Sequence, residues 1–571
     1  MSASRVAERA AAYALQAAME PALATSFDLL ATAPQGVAKL RELILSLAVR
    51  GKLVPQDPRD QPARGLLQEI RAEKGRLIAG GEIKRGKPLA AIVGEERPFE
   101  LPHGWEWTRF GDASINRDGE RIPVSLSDRE NRTKTYDYYG ASGVIDKIDG
   151  FLFDKTLLLI GEDGANLVNR STPIAFLAHG KYWVNNHAHV IDTTHSELMT
   201  YLALFINAIS LEPYVTGTAQ PKMNQAKLNS IVIALPPLAE QARIVARVEE
   251  LMQLCDALEA HGRLQDEQHA RLVATLFDTL AASESAEALA ENWQRLAAHF
   301  DLLLDRPEAI DALEQTILQL AVRGLLVPED PADESVGVLV QKINAEKVRG
   351  FASGKIKGIV RSSLQSESGP FAVPESWVWL RLGDAVLKVT DGTHHSPTNV
   401  ASGPFKYISA KNIKPWGVDL STVTFVTKEV HEEIYARCNP EFGDVLYIKD
   451  GATTGVVTIN TLREEFSMLS SVALIKPSCG IRSDYLVRVM ASPYFYNAMR
   501  AGMTGVAITR VTLAKLNDAL IPLPPLAEQH RIVARVEQLR GLCAELRERL
   551  QQSRATQSRL AEALAIQVAG S

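Results

Sequence analysis

Cysteine is scarce in this chain: there are four in 571 residues, with no CxxC pair and no Cys/His cluster at metal-ligand spacing. That excludes a disulfide framework and a zinc site, and points to a reducing compartment. An excess of positive charge is missing too. Lys plus Arg number 62 against 68 Asp plus Glu, a net charge of −6, so any nucleic-acid site has to be local rather than global. No apolar run approaches the ~18 residues of a membrane span. With 46% hydrophobic and 23% charged residues the chain is neither disordered nor fibrous, and its length calls for several folding units.

Motifs that carry chemistry are absent as well. Gly81-x4-Gly86-Lys87 falls one residue short of a phosphate loop, because Pro88 stands where Ser or Thr should reach magnesium. No GxGxxG occurs. The nearest string to an adenine-methyltransferase loop is Asn439-Pro440-Glu441-Phe442, which reads as a turn before a strand. His187 with His189, and His394 with His395, have no acidic or thiol partner at helical ligand spacing, so they read as surface or core histidines. Arg5, Arg9 and Ala10–Ala18 resemble a secretory leader, but the run is mostly alanine, is broken by Gln16 and leads into a segment that recurs later. A leader is not expected.

What is present is a duplication. Phe27–Pro58 aligns with Phe300–Pro331 at an offset of 273, with 18 of 32 positions identical. FELPHGWEWTRFGD from Phe99 matches FAVPESWVWLRLGD from Phe371, preserving Trp105 and Trp107 as Trp377 and Trp379. LPPLAEQARIVARVEELMQLCDALE from Leu235 matches the segment from Leu523 at an offset of 288, with 18 of 25 identical. Between the tryptophans and LPPLAEQ the copies diverge, and the second is 16 residues longer. One frame built twice around two different inserts implies one architecture carrying two surfaces.

Periodicity places helices at 24–50 and 297–323, each ended by an Arg-Gly pair, and strands in the inserts at FLFDKTLLLIGEDG, KYWVNNHAHVID, FGDVLYIKDG and SSVALIKP. A long helix follows each Pro-Pro-Leu-Ala-Glu-Gln. Ile244, Val248, Leu251, Cys255 and Leu258 step in heptad fashion, as do Ile532, Val536, Leu539, Cys543 and Leu546. Continued, both seams turn polar mid-helix. Antiparallel pairing of the two helices would match polar layers with polar layers; the alternative is two amphipathic helices each docked on its own domain. At their shared seam position Cys255 and Cys543 read as small core residues.

Neither insert is basic: Phe99–Ala234 holds 12 Lys/Arg against 16 Asp/Glu, and Phe371–Pro525 holds 15 against 14. One cation is repeated, because Gly217-Thr-Ala-Gln-Pro-Lys222 aligns with Gly505-Val-Ala-Ile-Thr-Arg510. Lys222 and Arg510 are therefore either phosphate contacts or solvated loop cations.

These segments resemble the specificity subunit of type I restriction-modification systems. The resemblance rests on PLAEQ-x-RIV-x-RVE twice, GTAQPKMN, IGEDGAN, YYGASGVI from Tyr138, AVRGKLVPQDP and PFELPHGWEW, and covers nearly the whole chain beyond residues 1–23. It implies an α+β fold: a tandem pseudo-twofold repeat with two β-rich target-recognition domains separated by long helices forming an antiparallel coiled coil. The corresponding division is 1–98 helical module, 99–235 first recognition domain, 236–282 first spacer helix, 283–370 central helical module, 371–523 second recognition domain and 524–571 second spacer helix. It implies DNA contacts at Gln220, Lys222, Asn224 and Asn166, and at Lys449 and Arg510 where the second insert departs to Lys449-Asp-Gly-Ala-Thr and Gly505-Val-Ala-Ile-Thr-Arg.

The resemblance further implies a cytoplasmic, non-catalytic subunit that binds double-stranded DNA. Its partners would be two methyltransferase subunits and the restriction/translocase subunits, with no membrane; S-adenosylmethionine, ATP and Mg belong to those partners. A helix of ~43 residues would span ~64 Å, nearly two turns of B-DNA, and so suits a ruler between half-sites. The alternatives are a DNA-binding adaptor for another defence or mobile-element enzyme, and a coiled-coil scaffold that binds no DNA.

Overall fold

The computed structural model describes residues 27–217, 220–353, 366–501 and 510–570. They fall into two compact units, one drawn from Met1–Leu264 with Arg554–Ser571 and the other from Gln265–Ser553.

The apolar pattern expected as one helix over 24–50 is two helices within the described residues, Phe27–Thr32 and Gly36–Val49. Pro34 stands between them and Gln35 is left-handed at φ 61°. In the second copy Phe300–Leu303 and Pro307–Val322 divide likewise, with Pro307 opening the longer helix. The Arg-Gly pairs end both helices as Schellman turns. Gly51 (φ 69°) and Gly324 (φ 74°) turn the chain so that Lys52 N donates to Leu47 O at 2.9 Å and Leu325 N to Leu320 O at 3.1 Å. A charged helix follows in each copy, Ala63–Ala79 and Val336–Ala352. The Gly81–Lys87 string follows the first of these directly and lies in irregular chain, without the strand and helix a phosphate loop requires.

Each insert is closed by a neck of two antiparallel strands that join its beginning to its end. In the first unit β1 (Glu106–Arg109) pairs with β10 (Val232–Leu235). Between them lie β2 (Ile115–Asn116), β3 (Tyr136–Gly140), β4 (Gly143–Ile148), β5 (Phe153–Asp154), β6 (Leu157–Gly161), β7 (Ala175–Ala178), β8 (Lys181–Val184) and β9 (Ala188–Asp192). They form two four-stranded sheets, ordered β2-β9-β6-β7 and β4-β3-β8-β5.

In the second unit β11 (Val378–Arg381) pairs with β21 (Leu520–Leu523). The insert comprises β12 (Val386–Asp391), β13 (Phe405–Ile408), β14 (Ile413–Lys414), β15 (Gly417–Val418), β16 (Thr424–Val426), β17 (Val445–Ile448), β18 (Val457–Ile459), β19 (Phe466–Met468) and β20 (Val472–Pro477). The orders β12-β20-β17-β18 and β16-β13-β19 repeat the scheme, including one parallel pair each, β3 with β8 and β13 with β19. Fully buried tyrosines brace both necks: Tyr201 Oη donates to Ala234 O at 2.6 Å and Tyr485 Oη to Pro522 O at 2.9 Å.

The PLAEQ repeat is a structural lock at the start of each long helix. In the first unit the buried Glu240 accepts from Trp105 Nε1 at 3.0 Å and from Gln56 Nε2 at 3.4 Å, and Gln241 Nε2 donates to Pro236 O at 2.8 Å. Arg243 bridges to Asp60 at 2.6 Å, and Arg531 bridges to Asp333 at 2.7 Å in the second unit. Gln529 there ties Gly480 O at 2.9 Å and Pro524 O at 3.2 Å.

The long helices run Leu238–Ala281 and Leu526–Gly570, 44 and 45 residues. The first unit takes the start of one and the end of the other, so that Ile244, Val248, Leu251 and Cys255 share a core with Ala561. The second takes the reverse, placing Val273, Phe277 and Leu280 with Ile532, Val536 and Cys543. An antiparallel pair has this arrangement.

The seam is not spent on the helix pair alone: it also docks each helix on its own repeat, so both alternatives hold in part. Arg41 of helix Gly36–Val49 bridges Asp256 at 2.5 Å and Glu259 at 3.0 Å, the residues that directly follow Cys255 and Leu258. Arg547 reaches Asp311 at 2.7 Å and Glu314 at 3.1 Å in helix Pro307–Val322. Leu539, Cys543 and Leu546 line an apolar cavity of about 490 Å³ with Ile310 and Leu313, and Leu546 stays 40% exposed. The seam thus faces the helical module of its own repeat, since a heptad pattern specifies an apolar stripe but not its partner. His269, one of the polar seam residues, is polar for the same reason: its Nε2 donates to Leu302 O at 3.1 Å. Among the described residues no helix is long and apolar enough to cross a membrane.

Candidate functional site

The residues singled out in the inserts converge on one end of the antiparallel sheet in each unit. In the first, β6 ends at Gly161 and the segment 220–224 is laid along the chain beyond it. Met223 N donates to Glu162 O at 2.7 Å and Gly164 N to Pro221 O at 3.0 Å, while Lys222 pairs with Asp163 as an isolated bridge. In the second, Val511 N donates to Lys449 O at 2.8 Å and Arg510 bridges Asp450. The repeated cation therefore occupies the same backbone position in both units.

Beneath Lys222 lies a charge network. Lys222 Nζ sits 3.2 Å from Glu162 Oε1, with its side chain 51% exposed, and Glu162 Oε2 accepts from Arg121 Nη1 at 2.8 Å. His189 is wholly buried, its Nδ1 2.7 Å from Asp118 Oδ2 and its Nε2 2.8 Å from Met223 O. A carbonyl only accepts. Nε2 is therefore the donor to Met223 O. Burial opposes ionisation of Asp118, but the His189 hydrogen bond and the His189 and Arg121 charges outweigh it and hold that carboxyl below its ordinary range. Glu162 is held low in the same manner, with burial opposed by Arg121, His189 and Lys222. His187, at the rim, contacts Asp163 at 2.7 Å. Sequence spacing could not show these pairs, because Asp118 lies in the short turn after β2 and His189 on β9, which the pairing of β2 with β9 brings together. They form no cation site, and no group of His, Cys, Asp and Glu among the described residues is arranged to hold a metal.

The second unit reaches the same end by different residues. Lys449 occupies the position of Glu162 and is buried, its Nζ 3.0 Å from Asp450 Oδ2 and 3.5 Å from Asp391 Oδ2. Arg437 also bridges Asp391. Arg510 keeps its side chain 60% exposed, 3.5 Å from Asp450 Oδ1.

Of the expected DNA contacts Lys449 is corrected here, and Asn166 and Asn224 also hold local structure. Lys449 is enclosed and neutralises two carboxylates, so it presents nothing to a duplex. Asn166 spends its amide on its own loop: Nδ2 donates to Thr172 O and Oγ1 at 3.1 and 2.9 Å, and Oδ1 accepts from Ser171 Oγ and Thr172 N. Asn224 caps the short helix Gln225–Ser230, accepting from Lys227 N at 3.0 Å, as Thr512 accepts from Lys515 N at 3.1 Å in the other unit. Lys222, Arg510 and Gln220 remain exposed. Residues 218–219 and 505–509 of the aligned motifs lie outside the described residues.

Comparison with known proteins agrees with the duplicated architecture. The family model described as the type I restriction modification DNA specificity domain matches twice, at residues 102–266 and 374–553. The chain is 34% identical to the type I restriction enzyme EcoEI specificity subunit of Escherichia coli and 33% identical to the EcoAI specificity subunit, in each case over 93% of both chains. A solved chain from a study of type I R-M complex assembly is similar at 19% identity and a TM-score of 0.42, covering 83% of this chain and 99% of that one. The HsdS subunit from Thermoanaerobacter tengcongensis is similar at 18% identity and a TM-score of 0.32, covering 82% and 98%.

Proposed function

Because the chain belongs to the specificity subunits of type I restriction-modification systems, we propose that each unit presents its insert to double-stranded DNA and that the two inserts together read a bipartite target. The observation that carries this reading is the repeated cation. Lys222 and Arg510 stand at the same strand end, each half-exposed and each beside a carboxylate, while the residues around them differ. A cation kept in place among changing neighbours suits the sequence-blind phosphate contact, and the changing neighbours suit base readout.

On this reading the chain performs no chemistry itself and acts in the cytoplasm. S-adenosylmethionine-dependent adenine methylation belongs to methyltransferase subunits, and ATP- and Mg-dependent restriction belongs to restriction/translocase subunits. The duplicated helical modules offer near-equal surfaces, and equal surfaces recruit equal partners, so two methyltransferase subunits are expected per chain. The test is methylome mapping in a methylation-free host that expresses the chain with its methyltransferase partner. Two short specific elements separated by an unspecified gap are the expected outcome. A single contiguous motif, or methylation unaffected by removing this chain, would overturn the reading.

A further inference from the structure

The two inserts differ most where the first makes a tight turn. Between β3 and β4 the first unit uses only Ala141-Ser142, whereas between β13 and its antiparallel neighbour β16 the second uses residues 409–423. Those residues build the extra hairpin β14–β15, pairing Ile413 with Val418 and Lys414 with Gly417. Its connection is Pro415-Trp416. Proline suits the first central position of such a turn, and Gly417 follows at φ 146°, so the tip is stiff.

Trp416 at this tip is 73% exposed, more than any other large hydrophobic residue described. An exposed apolar side chain alone proves nothing. This one, however, stands on an anchored stalk. Ile413 is buried with Leu446 and Ile448 of β17, and the buried Asn412 crosses the hairpin's base, its Nδ2 donating to Asp419 O at 3.0 Å. The stalk is also tied to the site: Ala410 N donates to Ser471 Oγ at 3.3 Å, and Ser471 O accepts from Lys449 N at 2.9 Å. The hairpin root therefore shares the strand end that carries Asp450 and Arg510. Lys411 and Lys414 flank it, with no ion pair among the described residues, and Asp419 is the acid at its base.

We infer that Trp416 is an uncharged base contact of the second unit, entering a groove of duplex DNA from the hairpin tip while Lys411 and Lys414 meet the adjoining phosphates; this rests on the DNA-recognition reading above. An aromatic ring on a rigid support presents a stacking or wedging face at little conformational cost, and flanking cations hold the backbone against it. The first unit has no counterpart, so the contact belongs to one half of the target.

The test uses the full chain assembled with its methyltransferase partner and a duplex bearing the sequence that the complex methylates. Trp416→Ala is expected to weaken binding on the order of tenfold. The salt dependence should stay unchanged, whereas Lys411→Ala or Lys414→Ala should lower its slope by about one. The fluorescence difference between the wild type and Trp416→Phe isolates this ring, and the duplex should quench it. Unaltered affinity with an unquenched difference signal overturns the inference while leaving DNA recognition intact. Normal DNA affinity with lost methyltransferase assembly in native mass spectrometry also overturns it, by assigning the tip to a protein partner. Failure of the wild-type complex to bind the duplex sinks both readings. Because the side chain is mostly in solvent, the thermal midpoint of either variant should match the wild type, which separates a lost contact from a lost fold.

Discussion

At the residue scale the two locks differ by one exchange with an electrostatic consequence. Gln56, which donates to Glu240, is replaced by Glu329 in the second copy, and both carboxylate oxygens of the buried Glu528 lack a hydrogen-bond partner there. Burial first, with the Glu329 charge adding to it, pushes the Glu528 carboxyl up to about 7. A carboxyl whose folded pKa is raised favours the fold in its neutral form. Its contribution is complete below the unfolded pKa of ~4.3 and is lost as pH rises through about 7. Glu329→Gln should therefore stabilise the chain more at pH 8 than at pH 5, by the smaller part of the shift that its charge adds to burial. Thermal melts across that interval check it, and a gain equal at both pH values would reject the account. The exposed cations carry a second prediction. Lys222→Ala or Arg510→Ala should weaken binding about equally for all sequences and lower the salt slope by about one; an altered target with unchanged salt dependence would make the residue a base reader instead. Sequence alone singled out these two because they recur, and both are exposed at the same backbone position. It misplaced Lys449 for a physical reason: whether a lysine is solvated or enclosed depends on Asp391, a residue 58 positions away that only the sheet brings near.

At the element scale the repeated motifs prove to be one joint. The Schellman glycine, the neck tryptophan and the PLAEQ glutamate touch in succession: a Cβ on Gly51 would lie 2.5 Å from Pro102 Cγ and 2.8 Å from Trp105 Cζ2, and the Trp105 indole donates to Glu240. The Gly–Pro–Trp packing recurs in the second half, where a Cβ on Gly324 would lie 2.4 Å from Pro374 Cγ and 3.2 Å from Trp377 Cζ2, so AVRG, the two-tryptophan segment and PLAEQ belong together although they are far apart in sequence. The strands were legible because both sheets are built from short aliphatic runs, and the helices because their apolar faces are periodic. The partner of a seam was not, since Ile244 and Cys255 satisfy the same heptad whether they face another long helix or helix Gly36–Val49. Gly51→Ala should destabilise the first unit by roughly 1–3 kcal/mol, combining a positive φ with a collision against two rings. Gly75→Ala, mid-helix with nothing within 4 Å of the new Cβ, should stabilise it by up to ~1 kcal/mol. Hydrogen exchange on the neck strands distinguishes the two, and equal protection in both variants would show that the joint does not bear on the neck.

At the scale of the whole molecule, each long helix begins in one unit and ends in the other, and the unit boundaries fall at Leu264/Gln265 and Ser553/Arg554. Both boundaries lie in the polar stretch of the seams, where the helices are least committed to either core; Leu264 is 44% exposed and a Cβ on Gly262 would meet nothing within 4 Å. A helical segment with its apolar seam buried toward both ends and polar in the middle suits a spacer. Deleting one heptad from each, Gly262–Gln268 and Leu550–Thr556, preserves the phase of the seam and shortens each helix by about 10 Å. It also removes Asp266, and with it a surface bridge to Arg306 whose loss should cost little. On B-DNA, 10 Å is about three base pairs, accompanied by ~100° of rotation about the duplex, so the variant has to twist the DNA or lose affinity. Methylome mapping reads the outcome. Half-sites of unchanged sequence with a shorter gap, or abolished methylation, agree with helices that set the spacing. Full methylation at the original gap would mean that the spacing is set by the units themselves.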